Sequence, residues 1–436
     1  MQTRLLDFAA LAESSEQWND LWQRSSTANP AARAEPMTAW LDCFATRDAL
    51  RAIVIEDAGQ FVAGLPLVLG VAPRKRAVER RLRCASSSII RRNDRLKVET
   101  AAAYPVRGGR LIARLPNNHW CCCGDLLVDA AVDPASLAAQ LAAAIQELQP
   151  TILYGEGLLT RTPRWQALAA ELASQKFAVE VRDQWRVGLV DINADWKAYE
   201  ASRSRNHRRK IKVSFDRLEE AGGGALQLYD RLDPAEVDAL ITRGFQVEER
   251  SWKATSGIAV MHEPRVLEFY CRLLRALAAA GCARLSFLEV NGEPAAFECG
   301  FAAKGVYFCP KVGYDEKFSA ISPGQLIRAL LFKRFSDEGS CHLVDFSGPL
   351  VDATSKWATR DQYVGRLVAG RGLIGQAAVT AFRTARSLYR RARRKPDQIF
   401  GDDIEIRPGP GQRQPSEPRK PRPVAEPVGA PHSEGT

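Results

Sequence analysis

The fold of this protein is decided by a segment that runs from Arg284 to Trp357 and reads RLSFLEVNGEPAAFECGFAAKGVYFCPKVGYDEKFSAISPGQLIRALLFKRFSDEGSCHLVDFSGPLVDATSKW. Its apolar runs are separated by the turn sequences Asn291-Gly292 and Ala303-Lys304-Gly305, which are typical of β-hairpins. A Gly348-Pro349 loop is predicted at its end. The pattern predicts a mixed sheet around one helix. The predicted elements are the strands Arg284–Val290, Pro294–Phe301, Val306–Val312 and His342–Phe346, with a helix that ends at Glu338.

The start of that helix is the most informative local feature. Ser322 suits the N-cap, Pro323 suits the first helical position, and Gln325 completes a capping box. Gly324 leaves room for a ligand beside the backbone, and a helix N-terminus can hold a pyrophosphate. An ordinary capped helix is the alternative, and the more frequent one for such a pattern. Pro310 lacks a strand-pairing N–H, so the neighbouring strand is expected to part there and leave a cleft.

Length and composition describe a globular protein of more than one domain. The chain has 436 residues, of which 46% are hydrophobic and 26% charged, and a net charge of +10 that leaves room for an anionic partner. No signal peptide or run of about 18 apolar residues is visible, so a cytoplasmic location is expected. Cys121-Cys122-Cys123, with His119 nearby, fits a buried strand better than a zinc site, and no metal is predicted.

The two halves of the chain have the same mixed texture of strands and helices. The expected domains are residues 1–190, residues 191–395 and a tail over residues 396–436, whose proline-rich composition from Arg407 onward predicts disorder. The first half is expected to hold aromatic helices, a hairpin after Arg51, strands at Asp125–Asp129 and Thr151–Tyr154, and helices that begin at Asp133-Pro134 and Thr162-Pro163.

A basic run occupies residues 202–212 and is predicted to continue as a helix to Glu220, with Ile211, Phe215 and Leu218 on its apolar face. It is interpreted as a solvated face, as a rim for a phosphate-bearing ligand, or as an RNA contact. A second arginine-rich helix, over residues 382–394, is expected to dock on the protein, with contact to a membrane surface as the alternative.

Several stretches in order resemble one family. They are RNHRRK at 205–210, EERSWK at 248–253, NGEPAA at 291–296, GYD at 313–315, SPG at 322–324 and VDFSG at 344–348, followed by Lys356-Trp357. Together they resemble the BioF2-like, or cellulose-biosynthesis (CelD/BcsL-type), acetyltransferases of the GNAT superfamily, relatives of the FemAB peptidyltransferases. The chain departs from the family at Gly348-Pro349 and Ser355-Lys356, where an acidic residue and a Tyr-Lys pair are usual.

The resemblance implies an α/β fold of tandem GNAT-like domains, with mixed sheets flanked by helices. It also implies transfer of an acyl group, usually acetyl, from acetyl-CoA as co-substrate to a small-molecule or glycan-precursor amine, for example in envelope polysaccharide synthesis. Ser322, Pro323, Gly324 and Gln325 would bind the cofactor. The expected catalytic residues are Asp345, Glu289 and Tyr314, with Glu298 as a further candidate base; Trp252, Lys253, Asp315 and Lys356 would line the acceptor side.

Two other functions fit the same sequence. A FemAB-like transferase would take its acyl group from aminoacyl-tRNA, which the basic run would suit, although that run carries no aromatic platform for bases. A non-catalytic assembly protein for an envelope polysaccharide is the other. The intact Ser-Pro-Gly helix start argues against a degenerate site, and no DNA partner is predicted.

Overall fold

A computed structural model describes residues 1–71, 111–192, 195–393 and 399–406. The basic segment Arg74–Arg83 and the tail from Arg407 that the sequence predicts to be disordered lie outside the described residues. Within the described part, the chain is a mixed α/β protein in which one large sheet carries helices on both faces.

The sheet runs through both halves of the chain in the order β1-β2-β3-β4-β6-β13-β7-β12-β11-β10-β9-β8, with β5 paired to β3. Most neighbours are antiparallel, but β4 pairs with β6 and β11 pairs with β12 in parallel. The strands are β1 Gln2–Leu6, β2 Leu50–Asp57, β3 Gln60–Val71, β4 Leu111–Arg114, β5 Leu127–Val128, β6 Ile152–Leu158, β7 Ala178–Asp191, β8 Ala225–Tyr229, β9 Ala283–Val290, β10 Glu293–Ala303, β11 Val306–Tyr314, β12 Leu343–Pro349 and β13 Arg360–Gly370.

The helices cover the two faces of this sheet. In chain order they are α1 Phe8–Glu13, α2 Ser15–Arg24, α3 Ala34–Phe44, α4 Pro134–Glu147, α5 Pro163–Ser174, α6 Trp196–Ser202, α7 Arg205–Glu220, α8 Val237–Glu249, α9 Trp252–Thr255, α10 Pro264–Ala279, α11 Pro323–Glu338, α12 Asp352–Ser355 and α13 Gly372–Arg393. Short 3₁₀ turns lie at Pro30–Ala32, Arg47–Ala49, Val260–His262 and Glu316–Ile321.

Two strands that the sequence pattern did not reveal join the halves. The long strand β7 crosses residue 190, where a domain boundary is predicted, and pairs with β12 on one side and β13 on the other. Strand β13 comes from the C-terminal part of the chain but lies between β6 and β7. The sheet is therefore continuous across the predicted boundary, and the domain division itself stays a prediction.

The two faces of the sheet around β11 are packed differently. On one face α11 buries Leu326, Ile327 and Phe332 against β12 and the loop that carries Trp357. On the other face α8 and α10 pack with the N-terminal helices in a single cluster that joins, for example, Trp40 and Phe269.

The hairpin of β10 and β11 is close to its prediction. Asn291 and Gly292 both have positive φ, 51° and 78°, as a two-residue hairpin turn requires. At the other turn, the Lys304 ammonium donates to the carbonyls of Trp22, Ser25 and Thr27 at 2.5, 2.8 and 2.9 Å. This turn therefore fastens the hairpin to the N-terminal half.

Four local predictions need correction. The predicted strand over Asp125–Asp129 is shorter, and Gly348-Pro349 belongs to β12 instead of a loop. The helix predicted to run from residue 202 to Glu220 begins only at Arg205, because Ser204 caps it by accepting from the His207 N–H. The predicted capping box at Ser322 is absent and is described with the site.

The C-terminal helix docks at its N-terminal end, and the side chains of residues 385–394, which make up most of the predicted arginine-rich stretch, lie outside the described residues. Its start lies against β13 and β7, where a Cβ added to Gly375 would come within 2.3 Å of the Thr151 carbonyl oxygen. Val379 is buried, and the Arg366 guanidinium lies 4.3 Å from the Phe382 ring centre. The predicted contact of this helix with a membrane surface stays untested.

Candidate functional site

The site begins where β11 and β12 part. The two strands pair only at Val306↔Leu343, Tyr307↔Val344 and Phe308↔Asp345, after which β11 continues to Tyr314 without a partner in β12. The parting starts two residues before Pro310, which confirms the expectation from this proline. Backbone N–H groups of β11 beyond it face a gap, and this is where a carbonyl oxygen that gains negative charge could be held.

Helix α11 begins beside this gap. Ser322 has left-handed backbone angles, φ 54° and ψ 56°, and its side chain caps nothing, so the predicted capping box is wrong. Gln325 does not reach back; its Oε1 accepts from the Trp357 Nε1–H at 2.7 Å. The physical reason is the tight 3₁₀ turn before the helix, which forces Ser322 out of the extended conformation that an N-cap needs. The first N–H groups of α11 are therefore left without a side-chain cap.

Gly324 keeps that helix start accessible. A Cβ added there would meet only the Tyr314 ring, at an ordinary contact distance of 3.8 Å. Tyr314 is thus placed beside the helix start, at the end of the strand that borders the gap. The uncapped N–H groups, the helix dipole and the bare glycine together form a surface that fits a phosphate or pyrophosphate.

Asp345 stands at the last paired position before the gap. Its Oδ1 accepts from the Ser347 N–H at 2.7 Å and its Oδ2 from Gln362 Nε2 at 2.8 Å. Burial raises the pKa of this carboxyl to about 6, although these two hydrogen bonds and the charge of Arg360 oppose the shift. A carboxylate with such a pKa can take a proton near neutral pH.

Asp345 points away from α11. Its neighbours Val344 and Phe346 pack in the cluster around α11, and adjacent residues of a strand point to opposite faces. The side chain of Asp345 therefore lies on the face of α8 and α10, opposite the start of α11. This arrangement allows donor and acceptor to approach the gap from opposite sides.

The part of the chain that contains this site matches a known protein family. The family model described as an acetyltransferase (GNAT) domain matches residues 205–355, which contain the gap, Asp345 and the start of α11. Residues 205–355 form a GNAT domain. The resemblance that the sequence carries is thereby confirmed for this segment.

Solved structures resemble a longer stretch of the chain. The structure of FemX aligns with a TM-score of 0.54 and 10% identity, over 84% of this chain and 97% of FemX. A conserved protein of unknown function from Bacteroides thetaiotaomicron aligns with a TM-score of 0.48 and 9% identity, over 85% and 100% of the two chains. A tandem GNAT protein from the clavulanic acid biosynthesis pathway aligns with a TM-score of 0.40 and 15% identity, over 85% and 99%. No curated protein matches the sequence.

The other two candidate bases lie elsewhere in the GNAT domain. Glu289 is on β9, two strands from β11, where it pairs with Arg243 and accepts from Gln227 at 2.8 Å. Glu298 is fully buried and accepts from the Tyr307 hydroxyl at 2.9 Å and from Arg328 of α11 at 3.4 Å. Neither is at the gap, whereas Asp345 is.

The predicted acceptor residues of the GNAT domain divide into two groups. Lys253 donates to Glu248 at 2.6 Å and to the Val312 carbonyl at 2.7 Å, so α9 is tied to the free end of β11. Asp315 is buried there and pairs with Arg250, while Trp252 is 47% exposed. Lys253 and Asp315 are therefore held at the C-terminal end of β11, and Trp252 precedes Lys253 in α9.

Lys356 lies on the other side, with the basic helix. Burial lowers the pKa of His207 to about 4, and the charges of Arg203 and then of Lys356 add to this shift. His207 is buried against the Trp357 ring, with 4.6 Å between ring centres. Since Trp357 binds Gln325, Lys356 belongs to the surroundings of the start of α11.

The outer face of α7 is cationic, as predicted. Arg205, Arg208, Arg209 and Lys210 are exposed, and none of these four has an ion pair among the described residues. Lys212 pairs instead with Asp216 at 2.8 Å within the helix. Helix α7 packs against α11 and against the turn before it, where the Arg217 guanidinium donates to the Ala320 carbonyl at 2.8 Å.

Sequence reasoning missed two residues at the gap, Lys311 and Gln362. Lys311 follows Pro310 and is one of few charged residues in an apolar strand, a signal that could have found it. Gln362 belongs to β13, whose place next to β7 no local pattern reveals. Among the described residues, no three metal-ligating side chains are grouped to hold an ion, and no helix is long and apolar enough to span a bilayer.

Proposed function

We propose that the protein is an acyltransferase that moves an acyl group, preferably acetyl, from a coenzyme A thioester to an amine. The proposal is carried by one observation: the strands β11 and β12 part beside the uncapped start of α11, and Asp345 stands at the point of parting. The match of residues 205–355 to the GNAT domain supports it.

The residues around α11 suit a coenzyme A thioester. The pyrophosphate would lie on the N–H groups after Ser322, beside Gly324, and the exposed cations of α7 are available to its remaining phosphate. The thioester supplies an activated acyl carbon. The N–H groups on the side of β11 that has left β12 would face its carbonyl oxygen, and no residue needs to form a covalent bond with the acyl group.

Asp345 is the proposed general base. A protonated amine that enters from the face of α8 and α10 gives one proton to Asp345, which passes it to solvent. The nitrogen then forms a bond to the acyl carbon as the carbon–sulfur bond breaks, and the second proton leaves the nitrogen for the thiolate. Tyr314, beside Gly324, is a candidate relay for this step: its hydroxyl gives a proton to the thiolate and is reprotonated by the proton that the nitrogen loses.

Binding and transfer test the proposal directly. Titration calorimetry with coenzyme A, acetyl-CoA and longer acyl-CoA thioesters should give micromolar affinity, and a thiol reagent should record amine-dependent release of coenzyme A. A folded protein that binds none of these thioesters would refute the proposed donor. The acceptor panel should include amino sugars, because a glycan precursor is one of the two proposed acceptor classes.

The exposed cations of α7 favour a second candidate, transfer from aminoacyl-tRNA. A tRNA would neutralise several phosphates at once, so the logarithm of its affinity should fall by about 0.7–0.9 per contact for each tenfold rise in salt. Titration of labelled tRNA at two salt concentrations tests this. Micromolar binding that persists at physiological salt, and is lost when Arg205, Arg208 and Arg209 are replaced by alanine, would favour this candidate over coenzyme A.

A further inference from the structure

Lys311 lies on the acceptor side of the gap. In the pairing of β10 with β11, Cys299 is opposite Lys311 and Phe301 is opposite Phe308. Between these two pairs β11 has one more residue than β10, which is a β-bulge. This bulge turns the Lys311 side chain to the same face as Phe308. Its ammonium lies 4.4 Å from the ring centre of Trp120 and 5.8 Å from that of Tyr270, which belongs to α10.

The Lys311 ammonium has no hydrogen-bond acceptor and no ion pair within the described parts of the chain, although its side chain is only partly exposed. The carboxylate whose charge acts on it most strongly, that of Glu248, is already bound by the Lys253 ammonium at 2.6 Å and by the Val260 N–H at 3.0 Å. Contact with two aromatic rings offsets only part of the cost of removing an ammonium from water.

The Lys311 ammonium therefore remains available to an external anion. Loss of water around Lys311 lowers its pKa to about 8, so the ammonium is charged at neutral pH. An ammonium that has no hydrogen-bonded anion among the described residues, on the part of β11 that has left β12, is an arrangement that favours ligand binding over stability. Asp345, on β12, points to the same face from the other side of the gap.

We propose that Lys311 binds a carboxylate carried by the amine acceptor, so that the acceptors are amino acids or carboxylate-bearing amino sugars instead of neutral amines. This inference rests on the proposed acyl transfer, whose base is Asp345. The acceptor would bridge the gap, with its amine at Asp345 and its carboxylate at Lys311. One ammonium between two aromatic rings suits a carboxylate; a phosphate group, with more charge and more oxygens, is usually held by several donors.

The experiment compares acceptors that differ only in the carboxylate. The full chain is supplied with acetyl-CoA and with matched pairs, namely L-amino acids against their carboxamides and muramic acid against its carboxamide. For at least one pair, kcat/KM should be about tenfold or more higher for the acid. Lys311→Met should remove this preference by lowering kcat/KM for the acid. Lys311→Arg should retain part of the preference. Lys317→Met, an exposed lysine paired with Glu293, is the matched control.

Several outcomes distinguish this inference from the proposed function. Equal use of acid and amide, or a preference that survives in Lys311→Met, would overturn the inference while acyl transfer stands. Failure to bind any coenzyme A thioester would overturn the proposed function instead. If no amine is acylated, thermal shift in the presence of coenzyme A is the deciding measurement. An acid that raises the melting temperature of the wild type but not that of Lys311→Met supports the inference. If no acid does so, the inference is overturned.

The variant should remain folded. Replacing an unpaired ammonium by an apolar side chain of similar length removes a desolvation cost, so the melting temperature of Lys311→Met should equal or exceed that of the wild type. A melting temperature that falls by several degrees would show that Lys311 has a structural role in the ring contacts, and would overturn the assignment of Lys311 to ligand binding.

Discussion

The two ends of the β10–β11 hairpin use the same residue type for different purposes. At the turn, Lys304 donates three hydrogen bonds to carbonyls of the N-terminal half. At the end that leaves β12, the Lys311 ammonium lies over the rings of Trp120 and Tyr270 and has no hydrogen-bond acceptor among the residues that the structure describes. Loss of water lowers the pKa of both ammonium groups to about 8. The two lysines therefore have similar burial and a similar pKa. They differ in their hydrogen-bond acceptors, and this difference separates the structural role of Lys304 from the proposed ligand-binding role of Lys311.

The largest expected effect tests whether the parted end is the reactive one. Asp345→Asn should lower kcat/KM for acyl transfer by about 10²–10⁴-fold, because the amide cannot take a proton from the amine. In the wild type, kcat/KM should rise with pH through a midpoint near 6, the pKa of the carboxyl.

Glu289→Gln separates the two candidate bases in the same assay. Because Glu289 is paired with Arg243 away from the gap, its replacement should lower the melting temperature and leave kcat/KM nearly unchanged. A loss of transfer in Glu289→Gln with full activity in Asp345→Asn would reverse the assignment.

The second prediction concerns the start of α11, where the coenzyme A thioester is proposed to bind. Gly324→Val should weaken coenzyme A binding by about tenfold or more, which is at least about 1.4 kcal/mol, because the branched side chain would stand between the ligand and the helix start. The fold should tolerate it, since only Tyr314 is near. Gly324→Ala is the graded control and should show a smaller loss in calorimetry. Unchanged affinity in a folded Gly324→Val protein would move the cofactor site away from α11.

The third prediction tests the turn end. Lys304→Met should lower the free energy of unfolding by about 1–3 kcal/mol, because the carbonyls of Trp22, Ser25 and Thr27 lose their donor. Chemical denaturation measures this loss. The same change at the exposed Lys317 should cost about 1 kcal/mol or less. If Lys304→Met is as stable as the wild type, the contrast between the two ends fails.

The smallest expected effect is the pH dependence of stability. Each lysine has a folded-state pKa of about 8, below the ordinary 10.5, so between these values the unfolded chain binds more protons than the folded one. Stability should therefore rise from pH 8 to pH 10 by these contributions. The rise in melting temperature should be smaller in Lys311→Met and in Lys304→Met than in the wild type. An identical rise in all three proteins would contradict the lowered pKa values.

Local sequence signals predicted much of this hairpin and its helix. Asn291-Gly292 places a two-residue turn because both residues accept positive φ, and the apolar runs on either side become β9 and β10. Pro310 predicts the parting because a proline gives no N–H to a neighbouring strand. Such features depend on a few adjacent residues, so they are visible without the fold. The capping box failed because the preceding turn sets the backbone of Ser322.

The sequence by itself thus determined the strands β9 to β12, the position at which α11 begins and the family that residues 205–355 match. Only the tertiary structure decided which charges are paired. The insertion of β13 brings Gln362 to Asp345, and the bulge before Lys311 turns its side chain away from α11 toward Trp120. The physical reason is that burial and pairing depend on residues distant in the chain, and one extra residue in a strand reverses the face that every later side chain occupies.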